Sequence, residues 1–124
     1  MKVAVKDLVA LFPLALRKRL PKEIAVISLS EPQAATLNRR YRNERTPANV
    51  LSFFYSPEYG EIMVCPALIR AEAKAQGHSF QYQMTWMIVH GMLHLGGVHH
   101  EKSQTMAKKT EVLERNILAK LTLI

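Results

Sequence analysis

The chain has 124 residues, of which 48% are hydrophobic and 22% charged, and its net charge is +7. This balance excludes a disordered chain and predicts a single globular domain over residues 1–124. The one cysteine excludes an internal disulfide framework. The longest apolar run, residues 8–16, contains Pro13 and is too short to span a bilayer. We therefore expect a cytoplasmic protein with no membrane partner.

The first predicted elements lie in residues 8–46. Residues 8–16 are predicted to be an amphipathic core segment, and the β-rich run at residues 23–29 to be a strand. Ser30 then caps a helix, since proline follows in the first turn and glutamine three residues after the cap. Thr46-Pro47 ends this helix. Its predicted buried face consists of Ala34, Leu37 and Tyr41.

The second half of the chain predicts two strands and three helices. The strands are residues 49–55 and 61–65, joined by a turn-rich link. Pro66 begins a helix that Gly77 ends, and Ser79 caps the next helix, which ends near Leu95. A last helix begins near Ser103. Its inward positions recur at helical spacing: Met106, Thr110, Leu113, Ile117 and Leu121. The predicted fold is α+β, with a small mixed sheet of about four strands packed with about five helices.

The positive charge is concentrated in the first two-fifths of the chain. Residues 1–50 contain ten Lys and Arg against four Asp and Glu, whereas residues 51–124 contain seven against six. Two clusters hold most of the excess: Arg17, Lys18, Arg19 and Lys22, and Arg39, Arg40, Arg42 and Arg45. A guanidinium donates two parallel hydrogen bonds to phosphate, so both clusters suit a phosphate ligand. A solvated basic face would have the same composition.

The stretch HGMLHLGGVHH at residues 90–100 has the histidine spacing of a metal site. His90 and His94 project from one face of a helix, one turn apart, so they can share one ion. Gly97 allows the chain to reverse, which would return His99 or His100 to that ion. We favour His100 on spacing. Three protein ligands leave one position open, as in catalytic zinc sites, so we expect one zinc ion per chain.

Gly91 distinguishes this helix from that of a metzincin protease. The metzincin pattern is HExxHxxGxxH, and Gly91 stands at the position of its catalytic glutamate. That glutamate delivers a proton to the leaving amine of a peptide, which is a poor leaving group. A phosphodiester mainly requires neutralisation of charge on its phosphoryl oxygens. The sequence therefore favours phosphate chemistry over peptide hydrolysis.

Two motifs resemble those of the YbeY family of bacterial metal-dependent endoribonucleases. The signature HGxLHLxG[YF]DH is matched by His90, Gly91, Leu93, His94, Leu95, Gly97 and His100. The signature LNxx[YF]R followed by TDVLSF is matched by Leu37, Asn38, Tyr41, Arg42, Val50, Leu51, Ser52 and Phe53. The segment Gly60-Glu61-Ile62 resembles the family motif GDI. Three family aspartates are replaced, by Asn49, Glu61 and His99.

The resemblance implies zinc held by His90, His94 and His100, and a cleft near the metal lined by Arg42. It also implies a single-strand-specific endoribonuclease that matures ribosomal RNA, notably the 3′ end of 16S RNA, and that serves ribosome quality control. The implied partners are RNA precursors, the small ribosomal subunit, ribosomal proteins and an assembly GTPase in the cytoplasm.

We assign roles on this basis. Arg42 binds the scissile or a neighbouring phosphate, Glu61 accepts a proton, and the RNA backbone is guided by Arg39, Arg40 and Arg45. The nucleophile is water or the 2′-hydroxyl of the RNA. The alternative is an RNA-binding ribosome-assembly factor with a mainly structural metal and little activity, which the replaced acids favour.

Four other residues have simpler interpretations. Cys65 is predicted to be a small core residue rather than a ligand, and Trp86 to pack in the core. Tyr55 and Tyr59 lie beside the turn-rich link and are able to stack on a base, although exposed tyrosines have many other roles.

Overall fold

A computed structural model describes residues 5–42, 48–97 and 104–122, and within them the side chains of residues 5–41, 48–97 and 108–121. These ranges contain three strands and six helices, against about four and about five predicted, and the α+β class is confirmed. The elements in chain order are α1 (Val5–Val9), α2 (Leu14–Arg17), β1 (Glu23–Ser28), α3 (Glu31–Arg42), β2 (Val50–Ser56), β3 (Tyr59–Val64), α4 (Pro66–Gln76), α5 (Phe80–Leu95) and α6 (Gln104–Thr122). None of the helices in these ranges is both long and apolar enough to cross a bilayer.

The sheet has the strand order β1-β3-β2, so β2 lies at one edge. Strands β2 and β3 are antiparallel and form the predicted hairpin, in which Ser56 Oγ accepts hydrogen bonds from the backbone N–H groups of Glu58 and Tyr59. Strand β1 runs parallel to β3. A register shift between Phe54 and Ser56 marks an irregularity at the end of β2. This edge of the sheet borders the cleft described below.

Helix α5 packs directly on one face of the sheet. Ser52 on β2 donates a hydrogen bond from Oγ to the carbonyl oxygen of Gly91, at 2.9 Å. A β-carbon at Gly91 would lie 2.9 Å from Cγ2 of Ile62 on β3 and 3.0 Å from Ser52 Oγ. Ile62 itself is fully buried. The close approach of helix and sheet therefore requires glycine at this point of α5.

The core lies between this face of the sheet and the surrounding helices. Its buried side chains include Ile62 and Val64 of β3, Val89 and Met92 of α5, and Ile117 of α6. Leu8 and Phe12 of the N-terminal segment are also buried, which confirms the predicted amphipathic core segment. Cys65 is fully buried, as predicted.

The local helix signals are confirmed where the structure describes them. Ser30 and Gln33 form reciprocal side-chain to backbone hydrogen bonds of 2.9 and 3.3 Å at the start of α3. Ser79 Oγ accepts from the backbone N–H of Tyr82 and caps α5. Gly77 ends α4 with φ +72°, in the left-handed region that favours glycine.

The inward faces of α3 and α6 were predicted less well. Ala34 is buried, but Tyr41 is 59% exposed, so the prediction that it is buried is wrong. Tyr41 lies in the last turn of α3, where its ring meets Phe53 of the edge strand edge-on instead of entering the core. Thr110 and Ile117 of α6 are buried as predicted. The Met106 side chain and residues 43–47 lie outside the described residues.

Candidate metal centre

His90 and His94 lie in the last two turns of α5, and their ring centroids are 4.5 Å apart. Gly97 follows with φ +85°, the left-handed conformation that the predicted chain reversal requires. His99 and His100 lie outside the described residues, so the third ligand stays a prediction. Among the described side chains, which are those of residues 5–41, 48–97 and 108–121, no group of three or more His, Cys, Asp and Glu forms a metal site.

Glu114 is a buried carboxylate that sequence analysis did not identify. It lies on α6, is 5% exposed, and contacts two side chains of α5. Its Oε2 accepts a hydrogen bond from the indole N–H of Trp86 at 2.7 Å, and its Oε1 lies 2.5 Å from His90 Nδ1. Opposite an ionised carboxylate, which only accepts hydrogen bonds, Nδ1 of His90 is assigned as the donor.

The pairing with Glu114 sets the tautomer and the orientation of the His90 ring. With the proton on Nδ1, the lone pair of the neutral ring belongs to Nε2, which is then the nitrogen able to coordinate a metal. A carboxylate that accepts from the other ring nitrogen is typical of metal-binding histidines. The donor set present here, two imidazoles one turn apart with one of them oriented by a buried carboxylate, therefore fits zinc.

One signal for Glu114 was present in the sequence. Glu114 is four residues after Thr110 and three before Ile117, so it belongs to the inward face of α6. A carboxylate on such a face is rarely buried without a partner. Its partners are on α5, however, and no local pattern indicates which residues of another helix meet it. Trp86 packs against the core as predicted, and it also orients Glu114.

A cleft of about 540 Å³ lies beside His94. It is lined by Arg19, Ser52, Phe54, His94, Leu95, Gly96 and Gly97. Arg19 belongs to the first basic cluster of the sequence, and Phe54 is a half-exposed side chain on the edge strand. Among the described residues, the structure thus brings an arginine and a phenylalanine to the same opening as His94 of α5.

None of the other predicted site residues contacts the histidines among the described side chains. Arg42 is the last residue of α3, but its side chain and the whole of Arg45 lie outside the described residues. Arg39 and Arg40 are exposed on α3. Among the described side chains, no hydrogen bond or ion pair joins either of them to the histidines. Their roles stay predictions.

Glu61 lies on the other face of the sheet from α5. It pairs with Phe53 across the hairpin, whereas the neighbouring pair of Ser52 and Ile62 faces α5. Successive strand residues point to opposite faces, so the Glu61 side chain points away from α5. This position argues against the predicted role of Glu61 as the proton acceptor beside the metal.

Glu61 instead accepts hydrogen bonds from tyrosines. Tyr59 Oη donates to Glu61 Oε2 at 2.7 Å, and this bond is the main cause that raises the pKa of Tyr59 to about 12. A hydrogen bond to the same carboxylate is also the largest cause that raises the pKa of Tyr55. The rings of Tyr41, Phe53, Tyr55 and Tyr59 form a continuous series of aromatic contacts on this face.

Asn49 has a structural partner that explains an amide at this position. Its Nδ2 donates to both carboxylate oxygens of Glu72 on α4, at 2.9 and 3.1 Å, and lies 3.1 Å from Met87 Sδ on α5. An aspartate here would oppose one carboxylate to another. The replacement of the family aspartate therefore leaves a favourable contact between the start of β2 and α4.

The chain is similar to known proteins of one family. The sequence model of the family described as Endoribonuclease YbeY matches residues 1–122. The chain is 37% identical over 108 residues to Endoribonuclease YbeY from Pseudoalteromonas translucida, covering 82% of this chain and 70% of that protein. It is 38% identical over 110 residues to Endoribonuclease YbeY from Bartonella quintana, covering 82% and 69%.

A relative and a solved structure from the genus Thermotoga extend the comparison. Endoribonuclease YbeY from Thermotoga neapolitana is 36% identical over 85 residues, covering 68% of this chain and 57% of that protein. The solution structure of TM1509 from Thermotoga maritima is similar in fold, with a TM-score of 0.57 and 24% identity over 95% of this chain and 83% of that one. The family match over nearly the whole chain, together with the relatives' identities, shows that this chain belongs to the YbeY endoribonuclease family.

Proposed function

We propose that this chain is a zinc-dependent endoribonuclease that cuts single-stranded RNA. The observation that carries the proposal is the buried Glu114 carboxylate against His90 Nδ1, beside His94 and the cleft. His90, His94 and His100 would hold one zinc ion per chain. Bound zinc supplies Lewis acidity, which polarises a phosphodiester and favours ionisation of water.

The side chains of the protein supply binding and orientation. Glu114 keeps the His90 ring in one tautomer, and Arg42 is proposed to neutralise charge on the phosphate that is cut. Arg39, Arg40 and Arg45 would attract the RNA backbone. Helix α5 offers no carboxylate at position 91, because that position packs against Ile62 and Ser52. The absence of a proton donor at position 91 favours a phosphodiester over a peptide as substrate.

We further propose that the substrates are precursors of ribosomal RNA, including the 3′ end of 16S RNA. The small ribosomal subunit, its proteins and an assembly GTPase would be the partners in the cytoplasm, where the protein would also serve ribosome quality control. Membership of the YbeY family and the basic first half of the chain support this context.

The experiment compares metal-stripped and zinc-loaded protein on labelled single-stranded and duplex RNA of one sequence. We expect cleavage of the single strand that depends on zinc, and little cleavage of the duplex. Casein serves as a control substrate, and its hydrolysis would contradict the proposal.

The same samples distinguish the proposed ribonuclease from the alternative function, an RNA-binding assembly factor whose metal is mainly structural. Its support is the replacement of family aspartates by Asn49, Glu61 and His99. That protein would bind the single strand tightly, leave it uncut, and lose stability when zinc is removed. The favourable contact of Asn49 with Glu72 gives one of these replacements a packing role, which weakens the support.

A further inference from the structure

We infer that Arg19 and Phe54 form a nucleotide subsite in the cleft beside His94, in which Arg19 binds a phosphate and Phe54 stacks on an unpaired base. The inference rests on the proposed function, because it assumes that the strand reaching His94 is RNA. It adds two residues that lie outside the matched signatures. It also gives a physical reason for a preference for single strands.

Phe54 is exposed at a position where its ring is available to a ligand. It is 51% exposed, and it lies in the edge strand, two residues after Ser52, whose hydroxyl contacts α5. Residues two apart in a strand share a face, so Phe54 points to the side of the sheet on which α5 packs. Single exposed aromatics are common. This one lines the same cleft as His94.

Arg19 provides a positive charge that no carboxylate offsets within the described ranges. Its neighbour in the same cluster, Lys22, pairs with Glu58 at 3.4 Å. No ion pair to Arg19 is present among the described side chains, and Arg19 is one of the residues that line the cleft. A guanidinium there is able to donate two hydrogen bonds to one phosphate.

The size and the two groups of the cleft fit one nucleotide unit. Its volume of about 540 Å³ lies within the range of roughly 300–1,000 Å³ that small-ligand sites occupy. Nonspecific single-strand binding sites combine a cationic groove with aromatic rings on which bases stack. A base inside a duplex is already stacked and paired, so its face is not available to Phe54. The subsite therefore selects unpaired RNA.

The aromatic series on the opposite face is a poorer route for RNA. Tyr55 and Tyr59 there surround the Glu61 carboxylate, whose charge repels phosphate. That face is also turned away from α5. An RNA strand that contacts both α5 and an exposed aromatic ring of the described structure is therefore best accommodated at Phe54.

The test is fluorescence anisotropy with a short labelled single-stranded RNA and its duplex, in the presence of a chelator so that binding is measured without cleavage. Phe54→Ala should weaken single-strand affinity by about fivefold or more, since one stacked base contributes about 5- to 150-fold. Phe54→Trp should keep the affinity within about twofold, and duplex binding should be unchanged in both. Circular dichroism checks that each variant is folded.

Arg19→Ala should lower the affinity and reduce the slope of log affinity against log salt by about 0.7, the value for one phosphate contact on a single strand. Lys18→Ala, in the same cluster but outside the cleft lining, controls for general electrostatics and should lower the affinity less. Tyr55→Ala tests the opposite face of β2, and this variant should bind RNA as the unmodified protein does.

The outcomes separate this inference from the proposed function. If the unmodified protein cuts RNA but Phe54→Ala binds normally, or Tyr55→Ala loses more affinity than Phe54→Ala, the subsite is overturned and the ribonuclease proposal stands. If the unmodified protein neither binds nor cuts RNA, both are overturned. Selective loss of single-strand affinity in Phe54→Ala, with recovery in Phe54→Trp, establishes the subsite.

Discussion

Glu114 of α6 lies with its Oε1 2.5 Å from Nδ1 of His90 on α5, and its other oxygen accepts the indole N–H of Trp86. Both carboxylate oxygens therefore have donors, and the pairing connects two helices that lie 24 residues apart in sequence at this contact. The structural consequence is a His90 ring held in one orientation.

We expect Glu114→Gln to weaken zinc binding by about 10- to 100-fold, the usual effect of removing the carboxylate behind a metal-binding histidine. A glutamine amide is able to donate to Nδ1 and so to favour the wrong tautomer. Zinc affinity is measured by competition with a chromophoric chelator. Glu111→Gln is the matched control, since Glu111 lies on the same helix but pairs with Arg115 at the surface. Unchanged affinity in Glu114→Gln would remove the carboxylate from the metal centre.

Gly91 is expected to resist substitution for a packing reason. An alanine β-carbon there would lie 2.9 Å from Cγ2 of the fully buried Ile62. Overpacking of this kind costs about 1–3 kcal/mol, which exceeds the gain of about 1 kcal/mol in helix propensity. Gly91→Ala should therefore lower the free energy of unfolding, as measured by urea denaturation.

Gly96→Ala provides the control, because its β-carbon would meet neighbours at ordinary distances of 3.5 Å or more. Gly91→Glu should destabilise the protein further and should create no peptidase activity. An increase in stability for Gly91→Ala would contradict a close approach of α5 to the sheet at this position.

Asn49→Asp, which restores the family residue, is expected to destabilise this chain. It replaces a hydrogen bond from Nδ2 to Glu72 with two opposed carboxylates, at a cost of about 1–2 kcal/mol near neutral pH. The repulsion raises the pKa values of the two carboxyl groups in the folded variant. The loss of stability is therefore largest at pH values above these pKa values, and it disappears as the pH falls below the unfolded-state values of about 4.

Urea denaturation at several pH values measures this effect. The double variant Asn49→Asp with Glu72→Gln should recover most of the lost stability, because the new carboxylate then faces an amide donor. A loss in Asn49→Asp that is independent of pH would show that charge repulsion is not its cause.

The titration of Tyr59 tests the assignment of Glu61. The hydrogen bond from Tyr59 to Glu61 raises the tyrosine pKa from its usual value of 10 to about 12. The folded protein thus holds this proton more tightly than the unfolded chain does. Its contribution to stability is complete below about pH 10 and is lost as the pH rises through 12.

Glu61→Gln should shift the last part of the tyrosine titration, followed by ultraviolet absorbance, to lower pH. Tyr59→Phe should remove that part of the titration altogether. Zinc-dependent RNA cleavage by Glu61→Gln should remain close to normal, because Glu61 faces away from α5. A severe loss of cleavage with an unchanged tyrosine titration would restore Glu61 to the catalytic site.

Local signals in the sequence predicted the element boundaries well. Ser30 and Ser79 cap helices, Pro66 begins one and Gly77 ends one, because each acts through its own backbone geometry or a bond to a residue a few positions away. The pairing of His90 with His94 follows from helix geometry in the same way.

Features that depend on distant contacts were predicted poorly. The face on which Glu61 lies is set by the register of β2 against β3 and by the side on which α5 packs, and neither is visible in a short window. The role of Glu114 depends on two residues of another helix. The exposure of Tyr41 depends on where α3 ends relative to the edge strand. In the sequence, Gly91 stands out as the position that lacks a catalytic glutamate, whereas in the structure glycine is required there by packing against Ile62.

Zinc at the histidines of α5 is proposed to make this chain a ribonuclease. The most direct measurement titrates zinc into metal-stripped protein and records the initial rate of cleavage of a single-stranded RNA. We expect the rate to rise from near zero and to level off at about one zinc per chain, and to stay near zero for His94→Ala at every zinc concentration. Full cleavage by the stripped protein in the presence of chelator, or by His94→Ala with zinc, would contradict the account.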